Sequence, residues 1–397
     1  MTIPTDISYT WVNNDRGVDA LVQRARKSDF YFLDTEFHRE KTYFPQLALV
    51  QICVDDEIYL VDPFEVSLGL LSDLFRLDRT CVLHAAQQDL DVLAQTVGEI
   101  PARIFDTQLS AGFLGYSQPA LSSLVNSFLR ISLPKGDRLS DWLRRPLTRD
   151  QLTYAASDVA YLPELFRLIS HQLNERGRMQ WATEACEELR TRPTGPAASE
   201  DAWLKVKDVR TLKGRSRWIA RHVAMWREER AMQLNIPPRH VLSDIAILGI
   251  AQKAPRSLEE LSKCRGVDQR HLGGIHGEAL LSAVTSGIHS SQGSDLFFPT
   301  NDNDDVDKSM RSAVTLVSAW IAELARQSSL DVGLLATRRD IVELLSGAPT
   351  ARLSQGWRAE IVGRDITDLV SGKKALTFLG PDGGGGLQLV EVAIEPK

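Results

Sequence analysis

Hydrophobic and polar positions in the first 190 residues have the spacing of strands at first, and then of strands alternating with helices. Short apolar runs bounded by polar turns predict five strands, at residues 30–34, 47–54, 58–61, 81–84 and 104–106. The first three are close enough in the chain to pair as an antiparallel meander.

Helical periodicity predicts the elements that cover these strands, at residues 67–77, 87–97 and 107–114. Thr148 and Gln151 have the spacing of a capping box, which predicts a long helix through about residue 173. Strands followed by alternating strands and helices predict an α/β fold for residues 1–190, in which helices cover a mixed sheet.

The strand signal is lost beyond this domain. Residues 191–201 are rich in Pro, Gly, Ala and Ser and are typical of a linker, and helical spacing then predicts a small all-α domain over 203–290. A second polar stretch, 291–308, separates it from a further helical unit at 309–378. The glycine run that follows predicts a flexible tail over 379–397.

Charge is distributed unevenly along the chain. The net charge is −6, but residues 1–190 hold 19 Lys and Arg against 27 Asp and Glu, whereas residues 205–230 hold nine basic and three acidic side chains. An acidic front half favours bound cations, and a basic stretch behind it favours an anionic partner.

The composition also indicates where the protein works. No apolar run approaches the roughly 20 residues that a membrane span needs, and the N-terminus has no pattern of a secretory signal. The four cysteines are scattered and form no CxxC pair, which is typical of a reducing compartment. We therefore expect a cytoplasmic protein with no membrane association.

Acidic residues at the ends of apolar segments are the candidates for a catalytic or cation-binding role. Asp34 and Glu36 lie two positions apart, so they project from the same face if the strand extends that far, and their charges repel. A solvated strand end explains the pair, and so does a cation bound between them. Asp89 opens a predicted helix, and Tyr154 and Asp158 lie one helical turn apart. Each of these has an ordinary structural explanation when taken alone.

Together, the segments that carry these residues resemble the four-carboxylate motifs of the ribonuclease D family of 3′-to-5′ exonucleases. FLDTEFHREKTYFPQLALVQI is similar to the first motif, CVLHAAQQDLDVL to the second and LTYAASDVAYL to the third. The intervening FDTQLSAGFLGY and LPKGDRLSDWLRRPLT also match. Residues 203–290 resemble the helicase-and-ribonuclease-D C-terminal (HRDC) domain, and 309–378 resembles a diverged second copy. The resemblance implies a ribonuclease H-like fold for residues 1–190.

The resemblance also implies a catalytic site with two divalent ions, Mg²⁺ or Mn²⁺, held by hard carboxylate oxygens. Asp34 would bridge both ions, and Glu36 and Asp158 would complete the site of the ion that binds the nucleophile. Asp89 would support the second ion through water. Tyr154 would orient the attacking water, since a tyrosine with an ordinary pKa is a poor base.

Further residues are candidates for contacts with the substrate. Those that lie near the motifs can contact a phosphate or stack against a base. The same residues also have explanations without a ligand, as a core histidine, part of a surface loop or a buried tryptophan. These candidates are His38, His84, Lys135, Arg138 and Trp142. The cations of 205–230 are candidate phosphate contacts or a solvated face.

The function that follows from the resemblance is 3′-to-5′ exoribonuclease activity. The enzyme would trim trailing nucleotides from structured RNA such as tRNA precursors and release nucleoside 5′-monophosphates, with no obligate protein partner evident. Two alternatives remain open: a 3′-to-5′ DNA exonuclease of the proofreading or Werner type, and a non-catalytic scaffold that binds nucleic acid.

Overall fold

A six-stranded mixed sheet is the centre of the first domain. The computed structural model describes residues 7–133, 140–196, 198–293, 296, 310–381 and 385–392. The strands are β1 (Thr10–Val12), β2 (Phe30–His38), β3 (Gln46–Val54), β4 (Glu57–Val61), β5 (Thr80–Leu83) and β6 (Arg103–Asp106), in the spatial order β1-β4-β3-β2-β5-β6. The predicted meander is confirmed, because β2, β3 and β4 pair antiparallel; β5 and β6 then continue the sheet parallel to β2.

Helices cover both faces of this sheet. They are α1 (Asp15–Ala25), α2 (Leu71–Phe75), α3 (Gln87–Thr96), α4 (Thr107–Gly112), α5 (Leu121–Leu129), α6 (Arg149–Ala160), α7 (Leu162–Glu175) and α8 (Met179–Arg190). The predicted single helix from residue 148 to 173 is wrong in one respect, since it is divided at Tyr161. Pro163 explains the division, because a proline is tolerated in the first turn of a helix but not in its interior.

The alternation of side chains along the strands produces two separate cores. Phe32 and Leu49 face α6 and α7, while Leu33 and Val50 face α1, α2 and α3. The sheet is therefore apolar on both faces, and β2 lies near its middle. Gln51, in the middle of β3, is fully buried between these packed layers.

The helical domain that follows is formed by α9 (Arg215–Leu234), α10 (Pro238–Val241), α11 (Asp244–Lys253), α12 (Leu258–Ser262), α13 (Gln269–Leu272) and α14 (Ile275–Ser290). Trp203, Ile219 and Val223 belong to its own apolar core. The third unit contains α15 (Arg311–Ser328), α16 (Val332–Leu335), α17 (Arg338–Leu345), α18 (Gly356–Arg358) and α19 (Arg364–Val370).

The chain ends differently from the prediction. Strands β7 (Lys374–Phe378) and β8 (Leu387–Glu391) form an antiparallel hairpin. The helical unit expected to reach residue 378 therefore ends in a strand, and the expected flexible tail over 379–397 is wrong for residues 387–391. Backbone pairing between the two strands accounts for the difference, because it orders a segment whose composition resembles a linker.

The third unit repeats the layout of the helical domain. In each, a long helix ends at a residue with left-handed backbone, a four-residue helix follows, and the next helix is capped by a hydroxyl side chain. Asn235 and Ser329 occupy the left-handed positions, and Ser243 and Thr337 are the caps. The spacing between these features is the same in both units, which supports the hypothesis that 309–378 is a diverged second copy.

Candidate active site

Asp34 and Glu36 lie on β2, which extends beyond both of them. In the pairing with β3, Asp34 is opposite Gln51 and Glu36 is opposite Leu49, and the register shifts only after Glu36. Because the strand is regular over this stretch, both carboxylates project from the face that α6 covers. The persistence of β2 as a strand removes the explanation that Asp34 begins a solvated loop.

Asp89 lies in the first turn of α3 and is 6% exposed. The Thr35 hydroxyl donates a short hydrogen bond to its Oδ1, which joins α3 to the strand that carries Asp34. The start of α3 is fixed by Asp106, whose carboxylate accepts hydrogen bonds from the amides of Ala85 and Ala86. Thr35 and Asp106 therefore position the third acid, and no sequence pattern singled out either residue.

Tyr154 and Asp158 lie on α6, one turn apart. The predicted capping box at its N-terminus is confirmed, since the side chains and amides of Thr148 and Gln151 bond reciprocally. Asp158 is 8% exposed. The Tyr154 ring lies against Trp142, with centroids 6.0 Å apart. The helix thus presents a phenol and a carboxylate to the same place.

An arginine that the sequence did not indicate holds the segment before α6. Nε of Arg145 donates to Asp62 at 2.7 Å, and one of its other nitrogens donates to the Ala48 carbonyl of β3. A third bond runs from Arg145 to the carbonyl of Trp142. This half-buried ion pair attaches the Trp142 segment to the sheet, and with it the aromatic neighbour of Tyr154.

The electrostatics of the site show that its carboxylates are close together. Burial raises the pKa of Asp34 well above its usual range, and the charges of Asp89, Asp158 and Glu36 raise it further. Burial also raises the pKa of Asp89, to about 7, against the opposing effect of the Thr35 hydrogen bond. The pKa of Tyr154 is raised by burial and then by the charge of Asp158.

The cluster fits divalent cations in its chemistry. The charges that act most strongly on Asp34 are all carboxylates, and a bound cation would relieve that repulsion. Hard oxygen ligands of this kind are what Mg²⁺ and Mn²⁺ select. In the described part of the chain, no group of three or more His, Cys, Asp or Glu side chains is arranged to hold a metal ion as the side chains stand. The acids form a mutually repelling cluster whose carboxylates would have to reorient around a bound cation.

The predicted substrate contacts have different surroundings. His38 ends β2 and is half-buried. Nδ1 of His84 is hydrogen-bonded to the Thr107 hydroxyl, 2.9 Å away, while its buried Nε2 has no partner among the described residues. Trp142 is buried beside Tyr154. Lys135 and Arg138 lie outside the described residues. For all five, contact with substrate stays a prediction.

The helical domain contacts the loop that follows β2. The Tyr43 hydroxyl donates to Glu228 of α9 at 2.7 Å, and the amide of Phe44 donates to the side chain of Asn235 at 3.0 Å. A cleft of about 390 Å³ lies beside these bonds, and Arg39 and Lys205 are among its lining residues. The second domain is thus joined to the segment that leaves the catalytic strand.

Two family models match the chain, and the matches agree with this geometry. A model described as a 3′-5′ exonuclease matches residues 9–174, the part of the chain that carries all four acids and Tyr154. A model of the HRDC domain matches residues 216–284, within the helical domain. The fold and the site together define a 3′-to-5′ exonuclease domain followed by an HRDC domain.

Two named relatives identify the family within this class of exonucleases. Ribonuclease D of Acidiphilium cryptum is 33% identical over 380 residues, which cover 93% of this chain and 95% of that protein. Ribonuclease D of Jannaschia sp. is 32% identical over 371 residues, covering 91% and 95%. The chain belongs to the ribonuclease D family and is a 3′-to-5′ exoribonuclease.

A solved structure supports the same conclusion. Escherichia coli RNase D, described as an exoribonuclease involved in structured RNA processing, is similar with a TM-score of 0.80 and 27% identity, covering 92% of this chain and 99% of that one. Nucleases of this type depend on divalent metal ions in general. No helix in the described part of the chain is long and apolar enough to cross a membrane.

Proposed function

We propose that this exoribonuclease trims the 3′ ends of structured RNA, such as tRNA precursors, and releases nucleoside 5′-monophosphates with the help of two divalent ions. The observation that carries the proposal is the meeting of four carboxylates and one phenol from β2, α3 and α6. Those three elements are far apart in the sequence. A scaffold that only binds nucleic acid has no use for four carboxylates that repel one another and the phosphate backbone.

Each residue has a distinct role in this proposal. Asp34, at the centre of the cluster, would hold both ions, Glu36 and Asp158 would help to hold one of them, and Asp89 would support the other. The bound ions supply the charge that stabilises the attacking and leaving oxygens. Burial and the neighbouring carboxylates raise the pKa of Tyr154, which favours its protonated form. Tyr154 can therefore orient the attacking water as a hydrogen-bonding group, not remove a proton from it.

Structured RNA is the proposed substrate for two reasons. The similar Escherichia coli enzyme is described as acting in structured RNA processing. In this chain the HRDC domain is hydrogen-bonded to the loop after β2, so it lies where the body of a long substrate could be held while its 3′ end is cleaved.

The function is tested by comparing substrates and metal dependence. We expect rapid release of mononucleotides from RNA with a free 3′-hydroxyl, slower release from the matched DNA, and removal of extra 3′ residues from an extended tRNA. EDTA should stop the reaction, and added Mg²⁺ or Mn²⁺ should restore it. Equal rates on RNA and DNA, or internal cleavage products, would contradict the proposal.

The basic stretch at 205–230 divides into exposed and internal cations. Arg227 is buried and pairs with Asp244 at 2.6 Å, and Arg217 bonds to the Leu212 carbonyl, so these two stabilise the domain. Other cations of the stretch are exposed. They include Lys205, Lys207, Lys213 and Arg215. Only exposed cations are available as phosphate contacts, so the proposed RNA surface is smaller than the sequence indicates.

Replacing Lys207, Lys213 and Arg215 together with glutamine is expected to weaken binding of extended tRNA and to make it less sensitive to salt. Each phosphate contact contributes roughly 0.7–0.9 to the slope of log affinity against log salt. The slope should decrease by that amount per lost contact. The measurement is a series of dissociation constants at increasing KCl, made in an Asp34→Asn background so that the RNA is not digested.

The matched control replaces three exposed cations of the first domain, Arg16, Arg26 and Lys27, with glutamine. This variant has the same net charge as the test variant. If the two variants bind with the same slope, the effect is one of overall charge, and the basic stretch is not a specific RNA surface.

A further inference from the structure

A fully buried glutamine lies in the sheet directly opposite the central acid of the active site. Gln51 is 0% exposed, and it is the only polar residue in β3 after Gln46, within the sequence QLALVQICV. Neither Oε1 nor Nε2 of its amide has a hydrogen-bond partner among the described residues. Exchanging the two atoms would not change this, because both lack a partner.

The amide lies on the active-site face of the sheet. Leu49 and Cys53, two positions before and after Gln51, pack in the core that contains Ala155 and Val159 of α6. The intervening residues of β3 pack in the opposite core. Since side chains alternate along a strand, Gln51 points towards α6, the helix that carries Tyr154 and Asp158.

The pairing of β2 and β3 places Gln51 next to Asp34. The two residues are directly opposite in the antiparallel register. The Cβ atoms of such a pair are about 4.5–5.5 Å apart, so a glutamine amide can reach the facing carboxylate by rotating its side chain. Within this buried layer the amide can serve Asp34 as a hydrogen-bond donor.

Burying an amide in this position destabilises the fold, so we expect the amide to have a functional role. A buried amide with no partner destabilises the folded protein, while leucine or methionine would fill the same volume at no such cost. Groups that stabilise function at the expense of folding are typically found at active sites. The location of Gln51 opposite Asp34 indicates what that role is.

We propose that Gln51 is a positioning residue of the active site: its Nε2 donates a hydrogen bond to the Asp34 carboxylate when that carboxylate holds a divalent cation. This inference rests on the proposed role of Asp34 as a metal ligand. The hydrogen bond orients the carboxylate and prevents it from turning towards its own strand. Gln51 itself touches neither the cation nor the RNA, because it is completely buried.

The test is Gln51→Met, which keeps the volume and removes both polar groups. Mn²⁺ affinity, measured by calorimetry on the full-length protein, should fall about 10–100-fold, as is usual when the partner of a metal ligand is lost. The melting temperature of the metal-free protein should rise by roughly 2–4 °C, because an unsatisfied buried amide has gone. Gln51→Asn retains an amide and should keep part of the Mn²⁺ affinity.

Controls separate this role from simple packing. Tyr31→Phe removes a buried polar group of β2 from the opposite face of the sheet, where its hydroxyl lies beside the Cys81 thiol, and should leave Mn²⁺ affinity unchanged. Gln51→Leu provides a second apolar variant if the methionine variant does not fold. A more stable Gln51→Met protein with wild-type Mn²⁺ affinity and kcat would overturn the inference, and the amide would then serve only a buried water.

One further variant distinguishes failure of this inference from failure of the proposed function. Asp34→Asn should lose Mn²⁺ affinity whatever the role of Gln51. If it does so while Gln51→Met binds normally, only the role of Gln51 is wrong. If Asp34→Asn also binds Mn²⁺ like the wild type, the metal site itself is wrongly assigned, and the inference is overturned with it.

Discussion

Replacement of Asp34 with asparagine is expected to abolish nuclease activity and leave the fold intact. Asp34 is the residue on which the charges of Asp89, Asp158 and Glu36 converge, so in the proposal it alone would contact both ions. Two-metal stabilisation of the transition state contributes several kcal/mol, and each 1.36 kcal/mol is tenfold in rate. A fall in kcat on the order of a thousandfold or more should follow, measured on 3′-extended RNA.

Stability measurements show whether that loss is catalytic or structural. In EDTA the melting temperature of Asp34→Asn should equal or exceed that of the wild type, because one of four repelling carboxylates has been neutralised. Asp29→Asn is the matched control: this carboxylate precedes the same strand, and its side chain is 85% exposed. Substantial activity in a folded Asp34→Asn protein would refute the two-metal assignment.

The sequence predicted the acids and most of the elements that carry them because both leave a local signal. Strand periodicity located β2, and the spacing of Tyr154 and Asp158 placed them on one helical face. The residues that align the site leave no such signal. Arg145 and Asp62 are 83 positions apart, and their contact exists only because the folded chain brings them together.

Gln51 illustrates a second reason why the sequence alone did not identify every residue of the site. In an apolar run, one glutamine reads as an ordinary strand residue, and its significance depends on burial and on the register with β2. Register is set by the pairing of two strands, not by either strand alone. The hairpin of β7 and β8 was missed for the same reason: it depends on the pairing of two strands, and its composition alone is that of a flexible tail.

The position of the third helical unit was also inaccessible from the sequence, and it changes the experiments that are possible. Trp357 of this unit stacks on Trp181 of the exonuclease domain, with ring centroids 5.5 Å apart, and meets the Phe113 ring at 5.1 Å. Arg358 is 2% exposed and pairs with Glu188 of the exonuclease domain at 2.8 Å. A fragment that ends near residue 190 would therefore expose part of its own core.

Backbone contacts strengthen this interface. Arg178 of the exonuclease domain donates hydrogen bonds to the carbonyls of Phe113 and Ser328, and the amide of Asp331 donates to the Gly112 carbonyl. A Cβ at Gly112 would lie 2.5 Å from the side chain of Leu334, so the two surfaces are in direct contact. We infer that the third unit stabilises the exonuclease domain by packing against it.

Trp357→Ala is therefore expected to destabilise the exonuclease domain, although the residue lies some 200 positions after that domain's last catalytic acid. Truncation of a buried tryptophan costs about 3–5 kcal/mol, a large fraction of the roughly 5–15 kcal/mol that stabilises a typical protein. Denaturant unfolding should show that loss. Hydrogen exchange should show reduced protection in α4, which ends directly before Phe113, and in α8, which contains Trp181.

Trp203→Ala is the matched control, because Trp203 is equally buried but belongs to the core of the helical domain that follows the exonuclease domain. It should reduce protection in α9 and α11 and leave α4 and α8 unchanged. If Trp357→Ala instead reduces protection only within α15 to α19, the third unit folds independently of the exonuclease domain. The stacked tryptophans would then be a contact between two domains of separate stability, and truncation after residue 190 would become a fair test of catalysis by the first domain alone.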